Sequence, residues 1–493
     1  MYTDATAQEI EITMQKAWAA FSEYRKMGLR QRAAFMKAIA VELENCGDEL
    51  IQTAMQETNL PEARLRGERA RTIFQLNSYA AACEQGDWLE ARIDTPIADK
   101  VPPKPDIRKM LVPLGPVVVF GSSNFPFAYS TAGGDTACAF AAGCPVIVKA
   151  HPAHAKTSEI VAGAILKAAA ICNMPDGIFS HVHGASFEVG KALVTHPYTK
   201  AVGFTGSYIG GKQLFDWGNE RKEPIPVFAE MGSINPVFLM PEKMGSAAAE
   251  IAKLYAGSIN LGVGQFCTNP GLIIGIDGKD LQLFIDALGN EIQNIAPAKM
   301  LHGGIAKAYA EKKNIALAQT GVTKVAQSTA DADELSGQPT IASIDAATFL
   351  NNQVLHQEVF GPYSIVVRCK DLAEMLEVTK HLEGQLTCTI MASENELKQN
   401  EELVYAIENI CGRIILNGVP TGVEVCLSMH HGGPFPSTTD GRYSSVGADG
   451  IKRFARPLSF QNWSNELLPD ELKNENPLGI WRTVDNQLSK EKI

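Results

Sequence analysis

Between Val117 and Glu230 the sequence alternates short β-branched runs with segments of helical length, and this rhythm restricts the fold more than any other feature. "VVVF" (117 to 120) precedes an alanine-rich stretch that stops at Gly143, and "PVIVKA" (145 to 150) precedes "TSEIVAGAILKAAA". "GIFSHV" then precedes "ASFEVGKALV", and "KAVGF" precedes "SYIGGKQLFDWG". Strands that read as unbroken apolar runs are covered on both faces, so the pattern predicts a parallel sheet wrapped by helices. A nucleotide-binding layer is the natural expectation.

A second alternating series follows Glu230: "SAAAEIAKLYAGSI", "GLIIGI", "LQLFIDALGNEIQNI", "YSIVVR", "DLAEMLEVTKHL", "TCTIMA" and "RIILNG". A chain of 493 residues exceeds what one hydrophobic core supports, so a second α/β domain is expected, facing the first across a cleft of the kind where small molecules bind. Residues 5 to 90 read as mainly helical and are expected to pack around the first domain. A proline-containing crossing segment, "TPIADKVPPKPDIRKMLVPLGP", comes next.

The net charge of −11, with acids and bases interspersed, disfavours nucleic acid or an anionic membrane as partner. The opening "MYTDATAQEIEITMQKAW" has early acids and no apolar core, so no signal peptide is expected. No apolar run approaches the roughly 18 residues of a membrane span. Ten cysteines without a CxxC pair disfavour a zinc ribbon or a disulfide scaffold, and a cytoplasmic, reducing setting is expected.

Three short stretches carry chemistry. "GQFCTNPG" places Cys267 in a glycine-rich turn read as a loop-to-helix junction, where the backbone can approach a ligand and nearby N–H dipoles can favour a thiolate. "FAEMGSINP" ends a strand on Glu230, at the strand end that faces the crevice of α/β proteins. In "GSSNFPFAYS", Asn124 follows a strand and precedes an expected proline-containing helix start, a position from which a side-chain N–H reaches an oxyanion. Taken singly, each has a plainer reading: an inert buried thiol, a solvated glutamate, a helix cap.

Together, "SSNFPF", "VIVKAHPAHAKTS", "FTGSYIGG", "AEMGSINP", "GQFCTNPG", "QEVFGP" and "GGPFPSTTDGRYSSVG" resemble, in order, the aldehyde dehydrogenase superfamily. Within it, "FGSSNFPFAYSTAGGDTACAFAAGCPVIVKAHPAH" and "PFPSTTDGR" are similar to the 2,5-dioxovalerate (α-ketoglutarate semialdehyde) dehydrogenases. The resemblance implies two Rossmann-like α/β domains and a small oligomerisation arm. Residues 1–105 and 115–230 would bind the dinucleotide, 231–432 would form the catalytic domain, 106–114 and 456–493 would join subunits, and 433–455 would return to the cofactor domain.

The resemblance also implies roles. Cys267 would attack the aldehyde as thiolate, Asn124 and the Cys267 backbone N–H would hold the oxyanion, and Glu230 would activate water to hydrolyse the thioester. Lys149 would contact the adenosine ribose; Phe204, Thr205, Gly206, Ser207 and Gly211 would line the cofactor, although no GxGxxG fingerprint occurs there. Glu358 would bond the nicotinamide ribose with Phe360 nearby. Ser233 stands where many relatives have a second glycine, which leaves the resting position of Glu230 open.

Pro152 stands three positions beyond Lys149, where many NAD-preferring relatives have a glutamate. With that repulsive carboxylate absent, NADP is expected to be used well and to be the better cofactor, NAD the weaker, with Lys149, His154, Lys156 or Thr157 as partners for the phosphate. The expected substrate is 2-oxoglutarate semialdehyde, with long-chain aliphatic aldehydes as the alternative. A coenzyme-A acyl transferase and a non-catalytic homologue are the other readings. The strand-like segments "DIRKMLVP" and "ARPLSFQNWSNELLP" suggest a homodimer or homotetramer. The ten histidines show no zinc spacing with cysteine or carboxylate and are read as surface or supporting residues; no metal is expected.

Overall fold

The computed structural model describes residues 2–493. Five parallel strands, β1 (Val117–Phe120), β2 (Val146–Lys149), β3 (Phe179–Val182), β4 (Ala201–Thr205) and β5 (Val227–Glu230), form one sheet in the order β3-β2-β1-β4-β5. The chain winds outward in both directions from β1, so the order switches there. Ligands of such sheets bind beyond the carboxyl ends at the switch. Those ends carry Gly121–Asn124, Lys149, Thr205 and Glu230.

The N-terminal helices Ala7–Tyr24, Leu29–Asn45, Gly47–Thr58 and Glu62–Gln85 bury Tyr24, Phe35, Met36, Leu50 and Leu76. Most of these lie against Val117, Phe140 and Val146 in one core. Helix Ala7–Tyr24 starts on a reciprocal Thr6–Glu9 capping box.

Seven strands build the second sheet: β6 (Val237–Leu239), β7 (Leu272–Ile276), β8 (Thr323–Gln327), β9 (Thr340–Asp345), β10 (Tyr363–Cys369), β11 (Gln385–Met391) and β12 (Cys411–Leu416). Their order is β8-β9-β10-β7-β6-β11-β12, parallel except for the edge strand β8. Every residue of β11 is buried, as expected for a strand covered on both faces.

A third sheet joins Ala455–Gln461, Ile107–Pro113, Arg92–Asp94, Arg482–Val484 and Gln487–Ser489 in that order. It therefore takes a strand from ahead of the crossing segment as well as from within it. Among the described residues no helix is long and apolar enough to cross a membrane.

Candidate active site

Cys267 lies in a turn between the helix Pro241–Asn260 and β7. The turn is tightly wound: Gly262 and Val263 take φ of 57° and 58°, and the left-handed region is costly for a β-branched valine. Gly264 packs so closely on the backbone of Gly361 and Pro362 that no β-carbon would fit. This corrects the sequence reading, because that glycine serves backbone packing, and the chain passes from Cys267 into a strand and not into the N-terminus of a helix. Asn235, fully buried, donates through Nδ2 to the carbonyls of Cys267 and Asn269, each at 2.9 Å.

Asn124 is not followed by a helix start. Residues 121–133 run as turns, and the next helix begins only at Gly134. The reason is a buried carboxylate: Glu68 Oε1 accepts the amides of Phe127 (2.9 Å) and Ala128 (3.0 Å), which holds the loop in its own shape. Asn124 Nδ2 donates to the carbonyl of Gln265 at 3.1 Å, two residues before the cysteine. Among the described residues, the Cys267 amide makes no hydrogen bond within the protein, which leaves a donor beside that of Asn124.

Glu230 ends β5 with only 7% of its surface exposed. Its carboxylate rests inward: Oε1 lies 3.0 Å from His431 Nε2. Ser233, which left that resting position open, ties the following segment to β11: its hydroxyl donates to Gln385 Oε1 (2.9 Å) and accepts from the Leu386 amide (3.0 Å).

His431 corrects the sequence reading of the histidines. It is 1% exposed, and its Nε2 also lies 3.3 Å from Cys267 Sγ. The ligand-capable atoms of Glu230, Cys267 and His431 all fall within 4.8 Å of one another. Linear spacing could not show this, because the segment after His431 folds back on β5: the Met231 amide donates to the Ser437 carbonyl, and the Ala229 amide to Thr439 Oγ1. Burial, and after it the Glu230 carboxylate, push the Cys267 thiol well above its ordinary range, with Arg71 opposing.

A cavity of about 380 Å³ reaches Cys267. The N-terminal helix Glu62–Gln85 forms one wall, supplying Arg64 and Arg71; Phe125, Tyr129 and Phe266 line it too. The Arg64 guanidinium lies 4.4 Å from the Phe125 ring centre and 5.0 Å from that of Phe266. Arg71 donates to the Tyr129 hydroxyl at 3.1 Å and keeps a buried Nε with no partner. Arg413 donates to the Pro420 and Gly422 carbonyls, likewise has a partnerless buried Nε, and is close enough to Cys267 to feel its charge. Neither arginine's place was legible in the sequence.

On the far side of Glu230, the Gly206 amide donates to its carbonyl at 3.0 Å, and Thr205 pairs with it across β4 and β5. Ser207 caps the helix Tyr208–Asn219, accepting from the Gly210 amide at 3.3 Å. A β-carbon on Gly206 would lie 2.6 Å from the Phe204 ring, and one on Gly211 2.6 Å from Met231. These glycines let the helix settle against the strand ends. Glu358 and Phe360 line a narrow cleft beside Ser233 and Asn269. Burial raises the Glu358 carboxyl to about 7.

Of the four groups named for a 2′-phosphate, three are already engaged. His154 turns inward to the Ser122 carbonyl at 2.8 Å, Lys156 pairs with Glu159 at 2.9 Å, and Thr157 donates to Glu57 through both its amide and its hydroxyl. Pro152 opens a short 3-10 turn beside them. Among the described residues Lys149 has no ion-pair partner; burial lowers its ammonium, with Asp4 opposing.

A nicotinamide dinucleotide fits this arrangement. Parallel strand ends, a capped helix start with no room for side chains at its glycines, an unpaired lysine and an enclosed carboxylate match its phosphates and ribose hydroxyls.

The aldehyde dehydrogenase family model matches residues 1–456. The chain is 46% identical over 484 residues to alpha-ketoglutaric semialdehyde dehydrogenase 2 of Azospirillum brasilense, covering 98% of this chain and 92% of that protein. It is 44% identical over 492 residues to alpha-ketoglutaric semialdehyde dehydrogenase of Acinetobacter baylyi, covering 99% and 93%. Among solved structures, a 1-pyrroline-5-carboxylate dehydrogenase from Thermus with bound NAD shares the fold, with a TM-score of 0.78 at 20% identity, over 93% of this chain and 86% of that one.

Proposed function

The chain belongs to the aldehyde dehydrogenase family and is an oxidoreductase acting on aldehydes; from that premise we propose that its substrate is 2-oxoglutarate semialdehyde, oxidised to 2-oxoglutarate. The observation that carries this reading is the pair Arg71 and Arg413. Arg71 lines the cavity that ends at Cys267, Arg413 stands near enough to feel the charge of Cys267, and both keep a buried Nε without partner. A planar guanidinium recognises a carboxylate in forked geometry. The two relatives above carry the same substrate in their names. Higher kcat/KM on 2-oxoglutarate semialdehyde than on straight-chain aliphatic aldehydes tests it; the reverse order contradicts it.

The residues divide the work. Cys267 Sγ bonds the aldehyde carbon, and the Asn124 amide and the Cys267 N–H hold the oxyanion; losing one such donor typically costs about 100- to 1,000-fold in rate. A bound nicotinamide cofactor supplies the hydride acceptor. Glu230, buried against Cys267, takes a proton from the water that hydrolyses the acylated thiol. That base favours hydrolysis over acyl transfer to coenzyme A.

Lys149, Thr205, Ser207 and Glu358 are assigned to the cofactor, with Phe204, Gly206, Gly211 and Phe360 shaping its bed. NADP is the better cofactor in this reading. Pro152 brings no carboxylate, and the carboxylates nearby, Asp4, Glu57 and Glu159, are each occupied by donors of this chain. Of the four groups named for a 2′-phosphate, Lys149 is the cation without an ion-pair partner among the described residues.

The chain assembles as a homodimer or homotetramer through two edges, Ala455–Gln461 and β12, where Ile414 and Leu416 are exposed. A monomeric mass by light scattering at micromolar concentration would contradict this.

A further inference from the structure

We propose that His431 is a catalytic residue, the base that takes the Cys267 proton as Sγ bonds the aldehyde carbon. The assignment rests on Cys267 being the nucleophile.

Three observations carry it. First, His431 Nε2 lies 3.3 Å from Sγ, within hydrogen-bond reach of sulfur, whereas Glu230 Oε1, although 3.0 Å from the same nitrogen, has no aligned donor. The ring nitrogen therefore has the thiol as its hydrogen-bond partner and the carboxylate as a charged neighbour. Second, imidazole is almost wholly buried, so the proton it takes is not lost to bulk water. Its backbone is pinned, the His431 amide donating to Ser444 Oγ at 3.2 Å. Third, the Glu230 carboxylate lies 3.0 Å from the same Nε2, where it supports positive charge on the ring.

The chemistry balances within these side chains. The S–H bond breaks and an N–H bond forms at Nε2, while the sulfur electron pair forms the S–C bond and the carbonyl oxygen becomes the oxyanion. Without a base, a thiol raised by burial and by a neighbouring carboxylate is protonated at neutral pH and reacts poorly. Glu230 alone makes the thiol harder to ionise; with His431 Nε2 in reach of both, the same negative charge favours proton transfer from sulfur to the ring.

The charged and titratable groups around the ring are Cys267 and Glu230 on one side, with Tyr129 at 6.1 Å between ring centres and His430 adjacent in sequence. On the other side a second small cavity shared with His431 is lined by Asp135, Asp440, Tyr443 and Arg453. Arg453 is paired with Asp135 at 2.7 Å, and Asp440 with Arg442.

The test needs neither aldehyde nor cofactor. Iodoacetamide labelling of Cys267 is followed by mass spectrometry of the peptide that contains it, as a function of pH. In the unaltered chain labelling should proceed readily at pH 7. In His431→Gln, and independently in His431→Asn, labelling at pH 7 should slow tenfold or more and rise only above about pH 9, with melting temperature and cofactor binding retained. An unaltered chain that labels only above about pH 9, or variants that keep its profile, would overturn the proposal. Failure of the nucleophile itself is separable, because it would appear as turnover surviving in Cys267→Ser.

Discussion

A β-carbon on Gly232 would lie 2.7 Å from Glu358 Oε2. The segment that leaves Glu230 thus makes room for the carboxylate assigned to the cofactor ribose, which couples the two halves of the site through a missing methyl group. Gly232→Ala should displace Glu358 and raise the cofactor KM about tenfold, with less effect on Cys267 labelling. Because burial lifts the Glu358 carboxyl to about 7, it is protonated below that pH and a full acceptor above it. Cofactor KM in the unaltered enzyme should therefore fall between pH 6 and pH 8. A flat profile, or one that rises, would remove Glu358 from the ribose.

Arg71→Ala should raise KM for 2-oxoglutarate semialdehyde while leaving that for a neutral aldehyde of similar length nearly unchanged. A hydrogen bond to a charged group contributes about 1.5–3 kcal/mol, or about 10- to 100-fold in KM. Steady-state kinetics on the two substrates decides it. Equal losses on both would mean that Arg71 supports the cavity wall through Tyr129 and does not read the carboxylate.

Much of this architecture was legible in the sequence, for physical reasons. The strands of the first sheet are unbroken apolar runs, and Cys267, Glu230 and Asn124 stand in short ordered motifs. What escaped depends on contacts between distant segments. Arg71 enters the cavity because the helix Glu62–Gln85, far ahead of Cys267 in the chain, forms one of its walls. His431 reaches Sγ because Ser437–Thr439 fold along β5, and Asn235 holds the cysteine carbonyl from the segment that leads into the neighbouring strand β6. The loop after Asn124 lacks a helix because Glu68, far away in the chain, captures two of its amides.

On one aldehyde, kcat/KM should be higher with NADP than with NAD, and Lys149→Ala should erase most of the difference. An advantage of tenfold or more for NAD, an energy of about 1.4 kcal/mol, would contradict the assignment of Lys149 to the phosphate.

In the proposed mechanism Cys267 carries the acyl group and Glu230 releases it. The most direct measurement is the pre-steady-state appearance of reduced cofactor at 340 nm with 2-oxoglutarate semialdehyde, using the unaltered enzyme, Cys267→Ser and Glu230→Gln. Cys267→Ser should yield no reduced cofactor, and Glu230→Gln should yield a burst near one equivalent per site followed by a slowed steady state. Turnover retained in Cys267→Ser, or a Glu230→Gln enzyme with neither burst nor slowed release, would contradict it.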